Sequence, residues 1–282
     1  MIAPFGAPWL APFAPLVAGL AEPAAAGHWA VCLQGLNALA GARRLTNSQG
    51  CPLRFIEATP LDLPYERHIF ETGQVPTRTG EGAWHDFFNA LVWLRFPLIK
   101  ARLNALQAQA LARDGVAGRR GGLRDAATLF DENAALVVLA PGPRLAAWQR
   151  HDWPGLFGSG PPGSAPWRPV LFGHALLDKL RAPYKSICAH AWVIGDAPLV
   201  AALPVAGEPA DALFDRLDAA VAAALAESTL HRDAFLPLPV LGVPGWWPAS
   251  AEPGFYDDPT VFRPRPGRRS SAAVVRPPAL RR

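Results

Sequence analysis

Two histidines stand where the chain turns from a loop into an apolar helix. His85 precedes Asp86-Phe87-Phe88, and His174 follows Phe172-Gly173 and precedes Ala175-Leu176-Leu177. At a helix amino end the free N–H groups and the macrodipole disfavour cations. An imidazole there tends toward the neutral form that binds a metal or accepts a proton. Asp86, in the same first turn, is a natural cap. Carboxylates recur at Asp131-Glu132 and at Asp257-Asp258. His85, Asp86, Asp131 and His174 form the candidate catalytic set, and His85, Asp131, His174 and Asp257 the candidate metal ligands. Imidazole nitrogen with carboxylate oxygen suits a divalent transition metal such as zinc, manganese or iron. Arg78, Asn89, Glu132, Tyr256 and Asp258 complete the candidate pocket. No HExxH, HxH or clustered carboxylate pattern fixes two ligands locally, so such a site requires the fold to gather distant loops.

The element that must position most of these groups starts at His85. Phe87, Leu91, Leu94 and Leu98 recur at helical spacing, joined by Phe88, Ile99 and Leu106. A narrow stripe carries His85, Asn89, Trp93, Phe96, Lys100, Asn104 and Gln107, and Asn89 is expected to face inward and hydrogen-bond a loop. Arg95, Arg102 and Arg113 share a third direction, the expected solvent edge. Pro97 should kink or divide the helix, which would loosen the alignment of His85 with Asn104.

Around it the pattern predicts a helix over 28–41 stopped by Gly41, a strand at 53–56, and a short helix from Tyr65 ended by Gly73. A loop at 75–80 leads to the central helix. Residues 128–139 read as a β-hairpin turning at Asp131-Glu132-Asn133. A short helix follows near 144–150, then strands at 169–172 and 186–194 and an amphipathic helix over 209–227. The segment 237–248, rich in Pro, Gly and Trp, cannot be helix. The fold expected is α+β: several helices around a small mixed or antiparallel sheet in one loop-rich domain. Residues 1–27 are expected to form an irregular arm packed through Phe5, Trp9, Leu10 and Phe13, residues 28–264 the domain, and residues 265–282 a disordered Arg/Pro-rich tail.

Composition narrows the classes. Of 282 residues 50% are hydrophobic and 18% charged, which is globular rather than disordered. The net charge is +4, yet residues 263–282 hold seven arginines and no acid; removing them leaves −3 for residues 1–262. Nucleic-acid binding is therefore not supported beyond the basic tail. Cys32, Cys51 and Cys188 are far apart with no CxxC, which fits a reduced, cytoplasmic protein rather than a disulfide or cysteine–zinc scaffold. Prolines at 4, 8, 12 and 15 interrupt the apolar start, so neither a signal peptide nor a transmembrane segment is expected. GRRGG at 118–122 lacks the P-loop spacing, and no GxSxG occurs. Abundant Arg, Ala, Pro and Gly suggest a GC-rich bacterial genome.

One set of segments carries a resemblance. It comprises Pro76-Thr77-Arg78, His85 to Trp93, Phe96-Pro97 with Lys100, Leu103-Asn104, Leu129 to Glu132, Phe172 to Leu176, Leu241 to Trp247, and Phe255 to Asp258 with Val261 to Pro264. Through these the chain resembles the bacterial family catalogued as domain of unknown function 3025, over about residues 50–264. The resemblance implies one family domain and no activity. The residues themselves leave two functions open. One is a metal-dependent hydrolase with a His/Asp site. The other is a non-catalytic binding or structural module in which buried His, Asp and Arg groups order the loops.

Overall fold

The structure is a computed structural model that describes residues 5–114, 122–161, 166–201, 210–226 and 228–265. The amino-terminal segment is more regular than an arm. A 3-10 turn at Pro8–Phe13 leads into α1 (Ala14–Val17) and α2 (Ala21–Ala25), and Trp9, Leu10, Phe13, Leu16, Val17 and Leu20 are all buried. The helix α3 (Trp29–Ala42) runs one residue past Gly41. Strand β1 (Arg54–Glu57) comes next. Then α4 (Tyr65–Thr72) ends at Gly73, whose left-handed φ of 73° lets its N–H return to the Ile69 carbonyl. Strand β2 (Gln74–Thr77), expected as loop, pairs in parallel with β1.

Two long helices follow, α5 (Ala83–Arg95) and α6 (Pro97–Asp114). Pro97 divides them as expected, since it opens a first turn where its missing N–H is harmless. The free amides of Leu98 and Ile99 are taken by Asp218 at 3.0 and 2.9 Å. The expected solvent edge is corrected. Arg95 is buried, donates to Asp211 at 3.3 Å and Asp215 at 2.7 Å, and lies over the Phe214 ring. Arg102 donates to the Leu225 carbonyl, and Arg113 is the exposed member of the three.

The hairpin expected at 128–139 is also corrected. Residues 122–133 form α7 (Gly122–Asn133), which buries Ala126, Ala127 and Phe130 on one face. These positions are one helical turn apart, and that period overrides the turn-forming tendency of Asp-Glu-Asn, which instead closes the helix. Strand β3 (Ala134–Leu139) then begins at once and is buried throughout. There follow α8 (Pro143–Gln149), α9 (Trp153–Phe157), β4 (Trp167–Leu171), α10 (His174–Lys179), β5 (Cys188–Ile194), α11 (Ala197–Ala201), α12 (Ala210–Ala224) and β6 (Phe235–Pro239).

The larger sheet has the order β4-β3-β5-β6 and is mixed. Strands β3 and β5 are parallel, while β4 and β6 pair antiparallel at the edges. Pro169, Pro237 and Pro239 all fall on those edges, where a residue without an N–H does least harm. The α+β class stands, with a second, two-stranded sheet. The expected turns and tail at 118–121, 162–165 and 266–282 lie outside the described residues. Among the described residues no helix is long and apolar enough to cross a membrane.

Candidate metal centre

Helices α4, α5, α6, α7 and α10 enclose a cavity of about 450 Å³. Its lining includes six of the seven residues of the polar stripe: His85, Asn89, Trp93, Lys100, Asn104 and Gln107. Only Phe96, which sits between the two helices, is missing. The break at Pro97 therefore does not separate the two halves of the stripe.

His85 reaches the cavity from the first turn of α5. Arg78 holds that turn to the preceding loop. Its Nε and Nη2 donate to the two oxygens of Asp86 at 2.8 and 2.7 Å, and its backbone N–H donates to Oδ2 at 2.7 Å. Asp86 is thus occupied by Arg78, and the sequence order places His85 just inward of this clamp. His174 reaches the cavity from the start of α10. A Cβ on Gly173 would lie 2.5 Å from the Asn133 backbone. Glycine alone lets α10 start hard against the junction of α7 and β3, which sets His174 beside Asp131 and Glu132.

Three ligand atoms meet there. His174 Nε2 lies 3.2 Å from His85 Nε2 and 3.6 Å from a Glu132 oxygen. Ligand atoms of all three residues lie within 4.8 Å of one another. His174 is buried, and His85 and Glu132 are half-buried.

The neighbouring acid faces elsewhere. Asp131 accepts from Lys100 Nζ at 2.5 Å, and its oxygen is 3.9 Å from His174 Nδ1, the nitrogen on the far side of the ring. Successive helix residues point about 100° apart, so one acid stands in front of the histidine and the other behind it. Lys100 also donates to Asn89 Oδ1 at 2.8 Å, Asn89 Nδ2 donates to the Tyr65 hydroxyl at 3.0 Å, and Lys100 sits 5.3 Å from the centre of the Trp93 ring.

Ionisation follows this layout. Burial pushes His174 down to about 4, against a smaller opposing pull from Asp131. Burial would raise Asp131, but Lys100 and His174 outweigh it and hold the carboxyl below its ordinary range. Burial, then the Asp131 charge, raises Glu132. His174 Nδ1 faces the Asp131 backbone and carboxylate, and a proton held there would leave Nε2 as the lone-pair donor.

The fold thus brings His85, Asp131, Glu132 and His174 together, with Arg78, Asp86 and Asn89 on the same cavity. It does not bring in the carboxy-terminal candidates. Tyr256 donates to the Gly242 carbonyl and packs on Phe157, Asp257 is exposed, and Asp258 pairs with Lys185 at 2.9 Å; none lines the cavity. The aromatic cluster of Phe157, Phe255 and Phe262 explains their position, since it fixes that turn through packing. Tyr65, Trp93, Lys100 and Asn104 are cavity residues that were absent from the candidate set. For the last three the signal was the stripe itself. Tyr65 opens a separate helix and carries no such signal.

The family model described as protein of unknown function (DUF3025) matches residues 53–266. The chain belongs to that family. No curated protein and no solved structure matches it.

Proposed function

We propose that this protein is a metal-dependent hydrolase whose ion is held by His85, Glu132 and His174. The observation that carries the reading is the spacing of the ligand atoms. Tetrahedral ligands at about 2.0–2.1 Å from zinc stand about 3.3 Å apart. Two of the three separations, 3.2 and 3.6 Å from His174, bracket that value, and the third lies within 4.8 Å. Two histidines and one glutamate leave a fourth position for water, which zinc acidifies to about pKa 7 for attack on a carbonyl or phosphoryl centre. Asp131, fixed by Lys100, would orient His174 from behind. The adjoining cavity supplies room for a small substrate. The three unpaired cysteines support a cytoplasmic setting, and the residue usage supports a bacterial source.

A second reading has its own support. The 3.2 Å contact between the two Nε2 atoms is also the length of a hydrogen bond, and the Lys100–Asp131 pair is complete without an ion. On that reading the cluster only orders α5, α7 and α10. Elemental analysis separates the two. Purified protein should hold about one zinc, manganese or iron per chain, and Glu132→Gln should release it while keeping the circular dichroism of the parent. A metal-free parent that cannot be loaded with zinc favours the structural reading.

A further inference from the structure

A second cleft, of about 420 Å³, lies along the outer edge of β4 and is walled by the turn at Pro8–Phe13, by Phe214 on α12 and by the 243–246 turn. It shares no lining residue with the cavity beside His85 and His174. Its walls are aromatic. The Trp9 and Trp246 rings stand 6.2 Å apart, and Trp167 and Trp246 are half-buried. Among the described residues that line it, Arg168 carries the one charged side chain. Arg168 is half-buried, and its guanidinium lies 5.6 Å from the centre of the Phe214 ring. Arg95 lies over the same ring at 5.1 Å. The two cations differ in their partners. Asp211 and Asp215 both pair with Arg95, and no carboxylate or hydrogen-bond acceptor among the described residues meets Arg168. A partly desolvated cation beside a second cation is incomplete without an anion.

The strand also limits what can enter. The Phe172 N–H donates to the Ala134 carbonyl at 3.0 Å, and antiparallel pairs alternate. Residues 168 and 170 therefore bond to β3, while 167 and 169 turn their backbone outward to the cleft. Pro169 has no N–H to offer there, so an added peptide strand would lack a complete ladder. A small molecule fits better than an extended chain.

We infer that this cleft binds a carboxylate with a flat apolar body, the carboxylate on Arg168 and the body against Trp9, Trp167 and Trp246. The paired N–H groups of one guanidinium match one carboxylate. A phosphate dianion carries more charge than one arginine balances, and a cation is repelled. A neutral aromatic fills the cleft but leaves Arg168 without a counter-ion. The volume is that of a small-molecule site, and a compact space of that size is about 9 Å across, enough for a two-ring acid to touch both Arg168 and the tryptophans. The site is independent of an ion at His85, Glu132 and His174.

The test is calorimetric titration with 2-naphthoate and its neutral counterpart 2-naphthamide. It is run on full-length protein as purified and after chelation. The naphthoate should bind about tenfold more tightly than the amide in both preparations. Arg168→Gln should bring naphthoate to the affinity of the amide and leave the amide unchanged, whereas Trp246→Ala should weaken both. Should Arg168→Gln fail to fold, Arg168→Lys keeps the charge, loses the paired N–H groups and should show a smaller preference. Equal affinities in the parent, no binding of either probe, or a preference that survives Arg168→Gln overturn the site. A preference lost on chelation places the carboxylate on a bound metal and overturns it too. A preference in protein that never takes up a metal supports the site and removes the hydrolase reading alone.

Discussion

At Asp218 charge and burial act against each other. Its carboxylate caps α6 through the Leu98 and Ile99 amides, yet burial outweighs those bonds and pushes its pKa up to about 6. The sign follows from linkage. Well below pH 4 the group is protonated folded and unfolded. As pH rises toward 6 the unfolded chain ionises first, and the folded state loses stability on the order of 3 kcal/mol. Asp218→Asn loses one of the two accepting oxygens at every pH, but relative to the parent it should gain stability between pH 4 and pH 8, as read by urea unfolding at the two values. A variant less stable at pH 8 than at pH 4, relative to the parent, would show that the charged cap is the favoured form. Asn89 works differently, because both ends of its amide are engaged, by Lys100 and by Tyr65. Asn89→Leu would leave the buried Lys100 with Asp131 as its remaining hydrogen-bond acceptor, a change expected to lower unfolding free energy by about 1–3 kcal/mol. An unchanged midpoint would mean the Lys100–Asp131 pair holds without it.

At the level of elements, the start of α10 decides whether the two histidines meet. Gly173→Ala would push a methyl into the Asn133 backbone. The expected outcome is a loss of about 1–3 kcal/mol in chemical denaturation, together with weaker metal retention as His174 is displaced. Full stability with full metal content would show that α10 can shift freely. The same elements show what sequence can disclose. The helices from Tyr65 and from His85, the division at Pro97 and the strands near 170 and 190 follow from apolar period and from Pro and Gly punctuation, and all are present. His85 and His174 also meet on one cavity, with Asp131 and Glu132 beside them and without Asp257. The hairpin expected over 128–139 fails because six apolar strand residues follow α7 without a break, so the helix-to-strand change has no local marker. Strand β6 was missed because Pro237 and Pro239 argue against any strand except an edge, and edge position is a property of the sheet. Residue type alone groups Asp257 with the histidines, whereas packing of Phe255 and Phe262 sets that turn elsewhere.

Over the whole molecule the folded unit extends beyond the family match. The match begins at residue 53, but Phe13 is fully buried and stands edge-on to Phe96 at 6.1 Å, between the two helices that line the cavity. Phe13→Ala should lower stability by about 3–5 kcal/mol in chemical denaturation, so residues ahead of the match belong to the fold in energy as well as in position. A loss below 1 kcal/mol would make that segment an accessory. The Arg/Pro-rich residues 267–282 contain few large apolar side chains, and a chain ending at Pro266 should keep the parent's thermal midpoint. A clear drop would assign them a packing role. The central claim, that His85, Glu132 and His174 hold one divalent ion, is tested most directly by anomalous diffraction at the zinc edge from crystals grown with zinc. The account predicts one strong peak at about 2.0–2.2 Å from both Nε2 atoms and a Glu132 oxygen. Crystals with zinc elsewhere or nowhere, and with the two imidazoles still hydrogen-bonded to each other, would contradict it.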